Sequence, residues 1–211
     1  MRVVNVVLMA VFLIAACSNA EAATILYANL TNAAENPPTV PTTNGGLPRP
    51  ASYGFATFTL NDAQTAMTFS ADIFNIDFTG TQTEYTNDDL RNAHIHAGPA
   101  VTPLTNGPVV WGFIGSPFND NNPNDVVITP FVSGVGGTVS GKWDAPEGNG
   151  TTLAAQLSNI LAGRAYINFH TVQFGGGEIR GNITAVPEPA TMVLVATGLV
   201  GLCRRQRRRV K

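Results

Sequence analysis

Arg91-Asn92-Ala93-His94-Ile95-His96-Ala97-Gly98-Pro99 places two of the chain's three histidines two residues apart in a segment that reads as extended. Side chains of a strand alternate between faces, so His94 and His96 point one way and Ala93, Ile95 and Ala97 the other. The third histidine lies in Tyr166-Ile167-Asn168-Phe169-His170-Thr171, where Ile167 and Phe169 share one face and Tyr166, Asn168 and His170 the opposite one. Gly177-Glu178-Ile179-Arg180-Gly181-Asn182-Ile183 repeats the pattern, with Ile179 and Ile183 set against Glu178, Arg180 and Asn182. If the three segments are neighbours in a sheet, all the histidines converge on one polar face. Ile95, Ile167, Phe169 and Ile179 then form part of the core.

The remainder of the middle of the chain is written in the same short-strand style. Ile25 to Leu30, Ala51 to Leu60, Met67 to Ile76, Val109 to Ile114, Val126 to Thr129, a segment ending at Gly141-Lys142-Trp143, Arg164 to Phe174 and Glu178 to Ala185 are expected strands, bounded by Asn, Asp, Gly and Pro clusters. Asn61-Asp62-Ala63-Gln64 joins two alternating runs as a hairpin, and Gly175-Gly176-Gly177 joins the last pair. One helix is expected, from Thr151-Thr152-Leu153 to Ala162. Thr151 or Thr152 caps it, Leu153, Leu157, Ile160 and Leu161 share a face, and Gly163 stops it. Eight or nine strands with one short helix define an all-β, antiparallel β-sandwich, immunoglobulin-like or superoxide-dismutase-like.

Composition narrows the function classes. With 21 glycines, 14 prolines and 12% charged residues, the chain favours tight turns over helices. From Thr24 to Val186 there are five basic residues (Arg49, Arg91, Lys142, Arg164, Arg180) against twelve acidic ones, a net of −7. An acidic body without a basic stripe excludes nucleic-acid binding. Cys17 and Cys203 both fall in terminal hydrophobic segments, so the domain between them has neither disulfide nor thiol nucleophile. There is no Gly-x-Ser-x-Gly elbow, and Gly134-Val135-Gly136-Gly137 lacks the lysine and helix of a phosphate loop. Phe118 to Asp125 is rich in Asn and Asp, but counting from Asp120 puts Asp125 and Phe131 where a calcium loop needs Gly and Glu. A solvated turn is expected there.

Two readings of the histidines compete. His94, His96 and His170 could ligate zinc or copper, with the fourth position left to water or Glu178. The plainer expectation is that they donate hydrogen bonds to backbone carbonyls, Glu178 or Asn168, with Glu178 and Arg180 as a surface pair and no cofactor.

His94-Ile95-His96-Ala97-Gly98-Pro99, Asn106-Gly107-Pro108-Val109-Val110, Leu161-Ala162-Gly163, Tyr166 to Thr171 and Gly177-Glu178-Ile179-Arg180-Gly181 together resemble the CHRD (chordin-type) domain, from about Ala28 to Ile183. That resemblance implies an extracellular all-β module without an established activity, hence a non-enzymatic protein whose partners are extracellular polysaccharide or matrix proteins.

The ends carry targeting information. Residues 1–23 read as a secretory signal peptide cut near Ala22, with a lipobox-like Ile14-Ala15-Ala16-Cys17 as the rival processing site. Residues 24–185 are the expected domain. In residues 186–211, Pro187-Glu188-Pro189 precedes an apolar run from Thr191 to Cys203 and six basic residues between Arg204 and Lys211. The apolar run is short for a spanning helix, and its basic end should stay cytoplasmic. This order resembles a PEP-CTERM sorting signal. It implies an exosortase-type membrane protease as partner, transient anchoring in the inner membrane, and delivery to the cell surface or extracellular matrix.

Overall fold

The computed structural model describes residues 23–185. The signal-peptide and sorting segments, expected to form terminal hydrophobic helices, lie outside the described residues. Among those residues no helix is long and apolar enough to cross a membrane.

Among the described residues, ten strands and one helix follow in chain order: β1 (Thr24–Thr31), β2 (Tyr53–Leu60), β3 (Ala66–Phe74), β4 (Leu90–Ala97), β5 (Val109–Ile114), β6 (Val127–Pro130), β7 (Gly136–Asp144), α1 (Leu153–Leu161), β8 (Ala165–Thr171), β9 (Ile179–Asn182) and β10 (Thr184–Ala185). The strands hydrogen-bond in the order β5-β4-β8-β9-β1-β2-β3-β7-β6, with β10 also on β1. Every pairing is antiparallel. The extra strand comes from the last expected one, which splits at Ile183. Its first part pairs with β8 and its second with β1, at Leu26↔Ala185 and Tyr27↔Thr184.

Aromatic contacts show how this one sheet folds over. Trp111 of β5 stacks on Trp143 of β7 at 5.6 Å between centroids, and Phe113 of β5 meets Phe69 of β3 at 4.8 Å. These strands stand near opposite ends of the pairing order, so β5-β4-β8-β9 must lie as a leaf over β1-β2-β3-β7-β6. The leaves join where β9 meets β1 at the single pair Thr31↔Arg180. The result is the expected antiparallel β-sandwich, its core filled by alternate residues of both leaves.

Period-2 patterning explains that core. Leu26, Ala28 and Leu30 of β1, Phe58 of β2 and Met67, Phe69 and Ile73 of β3 point inward, as do Ile95, Ile167, Phe169 and Ile179 of the other leaf. The last four are fully buried, as their strand periodicity requires. The helix α1 begins at N-cap Thr152, whose hydroxyl accepts from the Ala155 N–H at 3.3 Å. It buries Leu153 and Ile160 at one end of the sandwich, whereas Leu161 is 40% exposed and leaves the expected apolar face.

Two expectations need correction. The turn after Phe118 is not simply solvated: Asp120 is fully buried and accepts the N–H groups of Asp125 and Val126, while the buried Glu147 carboxylate accepts those of Asn121 and Asn122. Nor is the face that carries Glu178 and Arg180, expected as a surface pair, open to solvent: both residues are fully buried. All of β8, and β4 from Ala93 onward, are buried on both faces.

Candidate functional site

The sheet register assembles the site. Opposite each other on β4 and β8 stand Asn92 and His170, His94 and Asn168, His96 and Tyr166, and on β9 Arg180 lies beside Asn168. All three histidines thus fall on one outward face, His170 diagonal to His94. Loops cover this face, and His94, His96 and His170 are only 3%, 9% and 5% exposed.

Each imidazole is held from outside by a backbone carbonyl. His94 Nε2 donates to Ser116 at 3.1 Å, His96 Nδ1 to Gly107 at 2.9 Å and His170 Nδ1 to Gly175 at 3.0 Å. The carbonyls come from three separate loops, so the three rings hold three connections onto the leaf. On the inner side His94 Nδ1 and His170 Nε2 stand 3.2 Å apart, and His96 Nε2 is buried without a hydrogen-bond partner. The three residues offer ring nitrogens lying within 4.8 Å of one another.

Burial keeps the rings neutral. It lowers His94 to about 4, helped by His170 and then His96, against the opposing Ser116 carbonyl. His96 is likewise lowered to about 4, chiefly by burial, with the Gly107 carbonyl opposing and His170 and Arg180 assisting. Burial lowers His170 as well, opposed by the Gly175 carbonyl.

A layered stack supports His96. Tyr166 lies flat on its ring at 4.5 Å with an 8° interplanar angle, and the Arg180 guanidinium carbon sits 3.6 Å from the Tyr166 centroid. Arg180 is fully buried and donates to Asn106 Oδ1 at 2.9 Å and to the carbonyls of Thr102 and Thr105. The Gly107 N–H donates to the Tyr166 hydroxyl at 3.3 Å. Gly107 therefore grips both partners of the stack through one residue's backbone. A Cβ at Gly107 would collide with Val101, so the close approach needs glycine.

The surface pair expected between Glu178 and Arg180 does not form. Both side chains are fully buried, and the Glu178 carboxylate instead meets the Arg49 guanidinium and accepts from the hydroxyls of Ser52 and Thr171. These bonds fasten the long loop before β2 and leave Glu178 unavailable as a fourth ligand. Asn168 does not bond to the histidines either. Its amide donates to the Glu35 carboxylate and the Ile179 carbonyl, and burial pushes Glu35 up. Sequence reasoning put Tyr166 on this face without its stacking role, and missed Glu35, Arg49 and the three glycine- or serine-borne carbonyls. Arg49 left one signal: it is the sole basic residue between Thr24 and Leu90, set in a Pro/Gly/Thr loop. A lone charge in such a segment needs a partner.

An antiparallel sandwich with a loop-covered three-histidine face defines an all-β module with a built polar site. The CHRD domain model matches residues 26–183, and the chain belongs to that family. Residues 185–209 match the PEP-CTERM protein-sorting motif, so this is an exported protein handled by exosortase-type sorting machinery. Comparison with curated proteins and with solved structures returns no match.

Proposed function

We propose that the protein is a non-enzymatic binding module that is cut from its sorting tail and works outside the inner membrane, at the cell surface or in the extracellular matrix. The observation that carries this reading is how the domain and the sorting motif adjoin. β10 closes against β1 at Ala185, and the sorting motif begins at residue 185. Among the described residues, cleavage at Pro187-Glu188-Pro189 severs no strand pairing and removes no core residue, so the domain up to Ala185 can be released whole.

Binding is favoured over catalysis by the state of the histidines. All three are nine-tenths or more buried, and each has committed its outer nitrogen to a carbonyl. A general base needs to reach a substrate proton, and these rings have no such access. Intact-mass analysis of the protein from its native host, after fractionation, tests the reading. The expected species ends before Thr191 and lies outside the inner membrane; a surface species that keeps the arginine-rich tail overturns it.

A further inference from the structure

Six ring nitrogens belong to the cluster, and hydrogen-bond chemistry sorts them into two sets. A carbonyl oxygen only accepts, so each nitrogen facing one carries its ring's hydrogen: Nε2 of His94, Nδ1 of His96 and Nδ1 of His170. A neutral imidazole has one such hydrogen. The remaining nitrogens, His94 Nδ1, His96 Nε2 and His170 Nε2, are therefore all lone-pair acceptors.

Within the protein these acceptors have nothing to accept. Two face each other at 3.2 Å and the third is buried with no partner. Changing tautomers does not relieve the conflict. A hydrogen moved to Nδ1 of His94 would serve His170 but set a lone pair against the Ser116 carbonyl, and one moved to Nε2 of His170 would do the same at Gly175. Either exchange leaves His96 Nε2 bare. Buried acceptors without a donor cost about 1–3 kcal/mol each, so the arrangement calls for an electrophile at its centre.

We propose that His94 Nδ1, His96 Nε2 and His170 Nε2 form a three-imidazole site for a divalent late first-row transition-metal ion of the zinc and copper class. Two nitrogens on one tetrahedral ion at 2.0–2.1 Å stand about 3.3 Å apart. The His94–His170 spacing of 3.2 Å already has that value. The widest separation, at most 4.8 Å, has to close by about 1.5 Å, within reach of a ring adjustment. The outer shell also fits, since metal-bound histidines characteristically give their other N–H to a carbonyl or carboxylate. An all-imidazole set selects zinc, copper and nickel over calcium and magnesium, which want oxygen, and it favours Cu²⁺ over Zn²⁺. Among the described residues the cluster supplies three ligands, so water or an exchangeable ligand completes the shell. The site rests on this hydrogen-bond pattern and is independent of where the protein is released.

The test uses substitutions that separate the two jobs of each ring. His96→Asn and His170→Asn keep a donor near the Nδ1 position for Gly107 and Gly175, and His94→Gln keeps one near Nε2 for Ser116; all three delete the inward nitrogen. Untagged full-length protein, stripped with a chelator, is titrated with Zn²⁺, Cu²⁺ and Co²⁺, with Ca²⁺ and Mg²⁺ as controls. The wild type should take up one Zn²⁺ per chain and show the Co²⁺ absorption of a nitrogen-rich tetrahedral site. Its melting temperature should rise by about 5–10 °C at a hundredfold excess over Kd, and by nothing with Ca²⁺ or Mg²⁺. The three variants should fold and lose this response. A folded wild type that takes up less than a tenth of an equivalent overturns the proposal, as does stoichiometric binding that survives all three substitutions. If a variant fails to fold, the wild-type stoichiometry and Co²⁺ spectrum still decide.

Discussion

The two leaves of the sandwich share one alternating sequence pattern, yet their outer faces end in opposite environments. On β1, β2 and β3 the outward positions are Thr, Ser, Asn29, Asp72, Ile25 and a few aromatics, and they stay in solvent: Ile25, Tyr27 and Phe55 are 52%, 45% and 55% exposed. On β4, β8 and β9 the outward positions are His, Tyr, Asn and Arg, and nearly all are buried. The difference lies in bonding capacity. Imidazole and guanidinium groups can reach past the sheet and bond to backbone in an overlying loop, as His94, His96, His170 and Arg180 all do. A threonine hydroxyl is too short to hold a loop at that distance. One leaf therefore has a dry polar layer outside its core, and the other ends at its own strands.

The strongest way to break this contrast is to remove a charge from the dry layer. Arg49 and Glu178 form an ion pair whose side chains are 3% and 0% exposed. Glu178→Ala strands the guanidinium and two hydroxyls, and should cost about 3–5 kcal/mol. Phe169→Ala, on the apolar side of the same leaf, should cost a similar amount as a core truncation. Denaturant melts of both variants check the parity. A cost below about 1 kcal/mol for Glu178→Ala would mean that water reaches the pair and the layer is not dry.

Acid should attack the same layer. His94 and His96 titrate near 4 when folded and near the ordinary 6.5 when unfolded. Between those values the unfolded chain binds more protons, so the two rings favour folding fully above about pH 6.5. That contribution falls away as pH drops toward 4, with no further loss below. Each ring is worth about 3 kcal/mol across this interval. Asp77, where burial pushes up but four loop amides together outweigh it and hold the carboxyl below its usual value, adds to the acid loss at lower pH, while Glu35, Asp89 and Asp120, raised mainly by burial, work the other way. The clean measurement is therefore a difference. In chelator, the wild type should lose more stability between pH 6.5 and 4 than a His94→Gln, His96→Asn double variant. Parallel curves would sink the assignment.

How much of this was legible follows from the same physics. Strand alternation found the core because a one-residue slip exchanges the faces, so the sequence must commit to one register. It also found the convergence of His94, His96 and His170, since residues at i and i+2 cannot avoid sharing a face. Alternation could not say what lies above that face. The covering loops reach it through backbone carbonyls of Gly107, Ser116 and Gly175, and a carbonyl leaves no trace in residue identity. Arg180 reaching Thr102 and Thr105, rather than its near neighbour Glu178, is likewise set by loop paths. The Ile183 corner was hidden because both halves of the strand keep the same alternation while exchanging partners.

The smallest expected effect is also the sharpest control, because one kind of substitution can be made at outward positions of both leaves. Phe55 on β2 lies between Asn29 and Asp72, is 55% exposed, and touches Tyr53 edge-on at 6.1 Å. Threonine suits a strand about as well, so Phe55→Thr should change stability by no more than about 0.5 kcal/mol. Tyr166 on β8 also points outward, but it is 3% exposed and lies between the His96 ring and the Arg180 guanidinium. Its replacement by Thr removes both stacking partners and the acceptor of the Gly107 N–H, and should cost about 3 kcal/mol. Measured side by side in denaturant, the two variants should differ at least fivefold. Equal losses would show that the β1–β3 face is covered in solution by a part of the chain or a second molecule, and the two leaves would then share one environment.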